Sequence, residues 1–421
     1  MSESPKKRNE FVDIMRGIAM LLVVLGHTMT GCTENSQDSF LFNVVWSLQM
    51  PLFILISGYV TRYSRGVCDG DTLWIYVKRR TIAYLLPWAV WSFLVRGIIF
   101  GQRNFLNLKW LIWQMDSGYW FLFTIWTISI FFGLSQFLAI KIKRGPKQMW
   151  TFLFYVIGMG VLAAIGFVAG FSFLSIKLTL YYMPYFYVGY LYGHNSSKIL
   201  KNSWGKNLVD IVVSISVVAW LFIIIRYQIY ALPDSGMAIM VRIASSMTGC
   251  IAVCGLCHAV FENTSKVCFG RDGNYRRASK RRVLNARLTA EFTLGESEKR
   301  YICRKVDSNN ESDSYIERHN HSQAEVYNNS DVHYKQDDSN HVFPQKWLAV
   351  FLDWAGTHSL EIYMIHGFVL NLLKAEALPR FSSIAGLTLT ASNFTITVFL
   401  CWVVIKLISA NKRLRTVLSL K

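Results

Sequence analysis

Three ionisable side chains sit inside one apolar run, Asp13-Ile-Met-Arg16-Gly-Ile-Ala-Met-Leu-Leu-Val-Val-Leu-Gly-His27. An arginine fork can grip a phosphate or carboxylate through two hydrogen bonds. An imidazole can take a proton from a hydroxyl near neutral pH. Asp13, three residues before Arg16, can orient the guanidinium or balance its charge. On a helix, Arg16 and His27 fall within about 20° of one another and about 16 Å apart along the axis. Asp13, Met20 and Val23 border the same stripe. This arrangement suits a two-sided reaction. An anionic donor is held at one end, its reactive group is presented near a base, and an acceptor hydroxyl enters from the other side. The plainer alternative has Arg16 snorkelling to one interface and His27 resting at the other.

The element that positions these residues is a membrane helix, because residues 11–30 make the roughly 20-residue apolar stretch that spans a bilayer. The whole chain agrees. Its 421 residues are 52% hydrophobic and 17% charged, against about 25% charged in soluble domains. The fold class is an all-α polytopic membrane protein. Ten candidate spans are legible, at 11–30, 41–61, 81–100, 118–140, 149–170, 173–192, 207–225, 237–261, 347–372 and 389–409. Lys177 and Pro184 interrupt the sixth. Basic residues cluster at 6–8, 62–80, 141–147, 198–206, after 261 and at 412–415, which are alternate loops. The positive-inside rule then places both termini in the cytoplasm. The formal charge of +18 is explained by those loops, so nucleic-acid binding is not expected. The first run is followed by further spans and lacks a small-residue cleavage site, which predicts a retained helix rather than a signal peptide.

This division gives three regions: residues 1–261 with the first eight helices, a polar insertion at 262–346, and 347–421 with the last two helices and a basic tail. The insertion is basic at first and then acidic and rich in Ser and Asn. That composition favours a disordered cytoplasmic loop, whose basic half would lie against anionic membrane lipids. Its histidines His319, His321, His333 and His341 lack ligand-like spacing, and no metal is expected.

Other residues carry weaker signals. Ser359, Tyr363 and His366 share a helix face, with His358 and Glu361 on another. A buried Glu361 within a span is a functional candidate unless it is paired with His358 or a neighbouring cation. Lys78, Arg79 and Arg80 stand at the expected cytoplasmic start of the third span, where they could meet nucleotide phosphates or simply anchor the helix. Arg96, Arg226 and Arg242 lie near outer span ends, where they could hydrogen-bond a sugar or an anionic glycan, though snorkelling to the interface explains them with less. Trp88, Trp91, Trp110, Trp113 and Trp120 flank the third and fourth spans, as an interfacial belt or as faces for sugars. Cys254-Gly-Leu-Cys257-His258 matches the c-type haem pattern, yet it ends an apolar helix on the cytoplasmic side, which favours packing cysteines. Gly166-Phe-Val-Ala-Gly170 has the spacing of close helix packing.

Several segments together resemble the membrane acyltransferase-3 family. Arg8-Asn-Glu-Phe-Val-Asp13, Arg16-Gly-Ile-Ala and Gly26-His27 are similar to its first helix, in which an Arg and a His have ten residues between them. Met50-Pro51-Leu-Phe-Ile-Leu-Ile-Ser57-Gly58-Tyr59 resembles its second helix and Lys78-Arg79-Arg80…Pro87 the basic entry to its third. Tyr119-Trp120-Phe121-Leu122 resembles its fourth, and Ser359-Leu-Glu361-Ile-Tyr363-Met-Ile-His366 a late helix. The resemblance implies an acyl-CoA donor, usually acetyl-CoA, and O-acylation of a carbohydrate, often a cell-surface glycan or its precursor.

It also implies donor binding by Arg16 and transfer at His27. The expected site is therefore His27, Asp13, His366 and Glu361 for catalysis, Arg16 with Lys78, Arg79 and Arg80 for the donor, and Tyr363 with Trp120 for the acceptor. The long insertion departs from the family pattern. A transporter or flippase for an anionic or lipid-linked sugar would use the same stripe without consuming a thioester. A sensor acting through the insertion is a third alternative.

Overall fold

The structure is a computed structural model that describes residues 9–64, 66–115, 119–200, 202–233, 235–268, 343–374, 377–411 and 418. The terminal basic clusters at 6–8 and 412–415, and almost all of the insertion at 262–346 with its four histidines, lie outside the described residues. The described residues up to 268 and from 347 on belong to one compact unit. That unit carries every helix that is long and apolar enough to cross a membrane among the described residues.

Its described elements are helical. Helix α1 (Glu10–Cys32) starts at Asn9, whose side chain accepts from the Val12 amide. Helix α2 (Phe40–Val60) starts at Ser39, capping Phe42, and carries Pro51 inside. The third span is one long wide helix, α3 (Gly70–Arg80), a π-helical turn at 81–85, α4 (Leu86–Ala89) and a second π segment at 90–99. A reciprocal capping box between Asp69 and Thr72 starts it at Gly70. The helix thus starts about ten residues before the expected span, and Lys78, Arg79 and Arg80 form the last turn of α3, directly before the apolar stretch that begins at 81. The first π turn immediately precedes Pro87, and the Leu86 amide donates to the Thr81 carbonyl, five residues back. A proline lacks its own N–H and crowds the carbonyl four residues back, which the wider turn relieves.

A short helix α5 (Leu108–Trp113) precedes α6 (Trp120–Lys141). Then come α7 (Lys147–Ala169), α8 (Ile176–Ile199, with Pro184 inside), α9 (Ser203–Arg226) and α10 (Gly236–Cys268). The last three are α11 (Phe343–Thr357), α12 (Ser359–Leu372) and α13 (Ile384–Ala410). Among the described residues eight helices are long and apolar enough to cross a membrane. The other two expected spans are also helical. One is α8, with its proline and lysine, and the other is α11 and α12, which meet at His358, whose backbone leaves helical geometry (φ −103°, ψ 20°) but whose amide donates to the Trp354 carbonyl (3.1 Å) and whose carbonyl accepts from the Ile362 amide (2.9 Å). The protein is thus a polytopic membrane protein. In α10, Cys254 and Cys257 are free thiols in continuous helix, and the His258 ring packs beside Phe11.

Burial sorts the helices into an interior and a rim. The apolar windows of α1 and α2 are 61% and 72% buried, and those of α7 and α9 only 17% and 11%. Helix α1 lies among α2, α10, α12 and α13. Since lipid tails are as apolar as leucine, such helices hold together by close packing and hydrogen bonds. Glycines supply the close packing. A Cβ on Gly58 of α2 would fall on the Phe186 carbonyl, one on Gly189 on the Leu55 carbonyl, and one on Gly193 on Tyr59 backbone. Gly189-Tyr-Leu-Tyr-Gly193 is therefore the tight GxxxG contact. At Gly166…Gly170 the outcome differs: Gly170 ends α7 with φ +93°, and Gly166 faces Phe171 and Ile176 just beyond that end.

Hydrogen bonds close the loops at the end where α1 finishes. Glu34 pairs with Pro379 and Phe381 by main-chain bonds of 3.0 and 2.9 Å. Buried Asn43 donates to the Ile224 and Tyr227 carbonyls, both at 2.8 Å, and accepts from the Ile229 amide at 2.9 Å. Arg242 donates to the carbonyls of Ile229 and Leu232 in the same turn, so its guanidinium serves the loop. Asn43→Leu removes the partner of three main-chain groups, two of them buried. It is expected to destabilise the folded protein by about 2–4 kcal/mol, read as a lower thermal midpoint in detergent.

Candidate active site

The site is organised by two parallel helices in matched register. A Cβ on Gly17 of α1 would meet the Leu352 carbonyl and the Gly356 amide, and one on Gly356 would meet the Asp13 carbonyl and the Gly17 amide. The helices α1 and α11 therefore touch backbone to backbone at Gly17 and Gly356. Ten residues further along each, the rings of His27 and His366 meet, with centroids 5.2 Å apart and planes tilted by 41°. The same advance along both chains carries glycine contact to histidine contact.

His366 is 5% exposed, and its Nδ1 lies 2.9 Å from the Ile362 carbonyl. A carbonyl only accepts, so Nδ1 carries the proton and, in the neutral ring, the lone pair stays on Nε2. His27 keeps an exposed side chain. Its neighbour Gly26 is pressed against Gln49 of α2, whose buried Oε1 has no hydrogen-bond partner among the described residues.

The other expected residues fall in several places. Tyr363 joins the histidines, 5.9 Å from the His366 ring. Asp13 and Arg16 form an ion pair at 3.5 Å, with Asp13 buried and Arg16 about one-third exposed. Arg16 lies about 16 Å, and Asp13 about 21 Å, along α1 from His27. Glu361 is buried and pairs with His358 (Nδ1 to Oε1, 3.6 Å), on a different face of α12 from His366. Arg80 lies over Tyr76 (5.1 Å) and donates to the Tyr84 hydroxyl (3.2 Å), while Lys78 and Arg79 are exposed. Helix α3 packs on α6. Trp120 stacks on Tyr182 at 5.7 Å and 15°, and Phe121 lies next to both Trp120 and Tyr363.

Three groups at the histidine end carried little sequence signal. Tyr119 donates to the Met364 carbonyl of α12 (3.2 Å) and lies 6.0 Å from Tyr363. The Arg96 guanidinium lies between the rings of Tyr119 (5.3 Å) and Phe105 (4.7 Å), and its buried Nε has no partner among the described residues. The π turns before it shift the helix phase, so a 100° wheel does not show where Arg96 faces.

One apolar helix, α1, thus carries an Asp–Arg ion pair near its start and, towards its end, a histidine whose ring meets that of His366. The chain matches the acyltransferase-3 family, described as an acyltransferase domain, over residues 9–268. It belongs to that family, whose members are integral membrane acyltransferases. The match includes Asp13, Arg16 and His27, and ends before α11 and α12. The chain is also similar to two proteins named Nodulation protein NolL. That of Mesorhizobium japonicum is 26% identical over 185 residues, 38% of this chain and 49% of the relative. That of Sinorhizobium fredii is 24% identical over 184 residues, 37% of this chain and 50% of the relative. The chain thus spans about half the length of the curated relatives it matches. No solved structure matches it.

Proposed function

We propose that the protein is an integral membrane O-acetyltransferase that moves an acetyl group from cytoplasmic acetyl-CoA to a hydroxyl of a carbohydrate, a cell-surface glycan or its precursor. The meeting of the His27 and His366 rings between α1 and α12 carries this reading. Arg16, oriented by Asp13, grips a phosphate of the donor near the cytoplasmic face, and the pantetheine arm runs outward along α1. His27 takes the proton of the acceptor hydroxyl as its oxygen attacks the thioester carbon. The C–O bond forms, the C–S bond breaks, and the proton passes from His27 to the departing CoA thiolate. His366, with its lone pair on Nε2, steadies the imidazolium that forms at His27. Tyr363 and Tyr119 wall the acceptor side.

Acetyl-CoA turnover in membranes tests the reading. Free CoA and a labelled acetylated glycan should appear together and depend on His27. Movement of a sugar across the membrane with no CoA release would instead support a transporter and sink the proposal. Arg16→Ala should raise the KM for acetyl-CoA by roughly tenfold or more, with a smaller change in kcat. Arg16→Lys should fall between, since lysine keeps the charge without the fork. An unchanged donor KM in Arg16→Ala would remove the arginine from donor binding.

A further inference from the structure

Beyond the transfer centre, the segment between the third and fourth spans forms an open hollow of about 330 Å³ lined by Asn107, Lys109, Trp110, Trp113 and Gln114. Small-ligand pockets begin at about 300 Å³. Trp113 is 47% exposed and Trp110 half-buried, so both present aromatic surface. Asn107 caps α5 through Oδ1, accepting from the Trp110 amide at 3.2 Å, which leaves its amide N–H₂ to donate elsewhere. Gln114 adds a second exposed amide and Lys109 a cation. Two aromatic faces with amide donors and acceptors between them suit a saccharide, whose C–H face stacks on rings while its hydroxyls hydrogen-bond at the edge.

The hollow also lies on the side of the membrane where α1 ends, and an unbroken file of side chains joins it to the histidines. Trp110 packs edge-on to Phe105 (5.3 Å), Phe105 lies under Arg96 (4.7 Å), and Arg96 lies over Tyr119 (5.3 Å). Tyr119 neighbours Tyr363 (6.0 Å), which neighbours His366 (5.9 Å), which meets His27. Tyr119 is anchored to α12 itself through the Met364 carbonyl.

We infer that the Asn107–Gln114 hollow is a glycan subsite, holding a sugar of the acceptor chain one or more units away from the sugar that is acetylated at His27. The inference rests on the acceptor being a carbohydrate, as proposed above. It makes the enzyme selective for an oligosaccharide over a free monosaccharide. Arg96 stiffens the wall between the two sites.

Full-length protein in lipid nanodiscs tests both layers separately. In the first measurement, saturation-transfer NMR is run with cellotetraose and tetragalacturonic acid as probes, alongside their monosaccharides. Magnetisation should reach at least one tetrasaccharide in wild type and be lost in Trp110→Ala and Trp113→Ala, with Trp113→Phe retaining it. Transfer to neither tetrasaccharide, or transfer that survives both alanine variants, overturns the subsite. In the second, acetyl transfer to the cell's own size-fractionated glycans is followed. Trp110→Ala and Trp113→Ala should raise the acceptor KM roughly tenfold, with the acetyl-CoA KM unchanged. Glycan acetylation that needs His27 but ignores both tryptophans overturns the subsite and leaves the activity standing. CoA release without any acetylated glycan, together with saturation transfer that needs the tryptophans, would sink the acetyltransferase reading and leave the saccharide site.

Discussion

His27→Ala is expected to lower acetyl transfer by roughly a hundred- to ten-thousand-fold, the range over which a positioned general base acts. His366→Ala should give a loss of similar order. The two rings touch, and groups that act as one unit are strongly non-additive. The double variant should therefore be no worse than the weaker of the two single variants. The measurement is the rate of label transfer from acetyl-CoA in membranes carrying equal amounts of folded protein, with folding checked by size-exclusion profile. Losses that multiply in the double variant would mean that the histidines act in separate steps. Wild-type turnover in His27→Ala would remove it from the chemistry altogether.

The second large effect concerns the scaffold. Gly58→Val and Gly189→Val each push a side chain into main-chain atoms of the facing helix, at Phe186 and Leu55. Main chain in a packed helix has no rotamer by which to yield, so α2 and α8 must part. Overpacking by a few methyl groups costs about 1–3 kcal/mol where side chains can adjust, and backbone obstruction should cost more. Each variant is expected to lose at least about 3 kcal/mol and to be largely cleared from the membrane. Gly160→Val provides the control, because nothing lies within 4 Å of its added Cβ, and its level should match wild type. Equal abundance of all three would show that α2 and α8 are not held by close approach.

Much of this architecture was legible because its signals are local. An arginine and a histidine in an apolar run mark α1 at once, since charge in a membrane helix is rare. Loop charges and span lengths carried the polytopic fold. What was not legible depends on rotation and on distant contacts. His27 and His366 lie at opposite ends of the chain, and no spacing rule says that their helices run parallel at one depth. The capping box at Asp69 starts the helix well before the apolar stretch at 81, so Lys78, Arg79 and Arg80 stand in mid-helix rather than at a helix start. Arg96 was legible as an arginine near an outer span end, but not its place against Tyr119 and Phe105, because the wide turns at 81–85 and 90–99 break the periodicity by which helix faces are assigned. Glycine spacing also misleads by itself: Gly170 is needed for its positive φ, Gly189 for close approach, and the two pairs read alike in sequence. Pairing of Glu361 with His358 was open in the sequence, and the 3.6 Å separation supplies that partner.

The equal run from Gly17 to His27 and from Gly356 to His366 acts as a pair of rulers with a common zero. The glycine contact sets the zero; ten helical steps set the reading on α1, and ten residues across the α11–α12 junction at His358 set the other. One inserted residue on either ruler would advance its histidine by about 1.5 Å and swing it by about 100°, carrying the ring off the shared face. Between these marks, length is therefore under tighter constraint than residue type. Many apolar exchanges can be absorbed there, but a single insertion or deletion cannot, whereas matched insertions on both rulers would lift the histidines together and keep them in step.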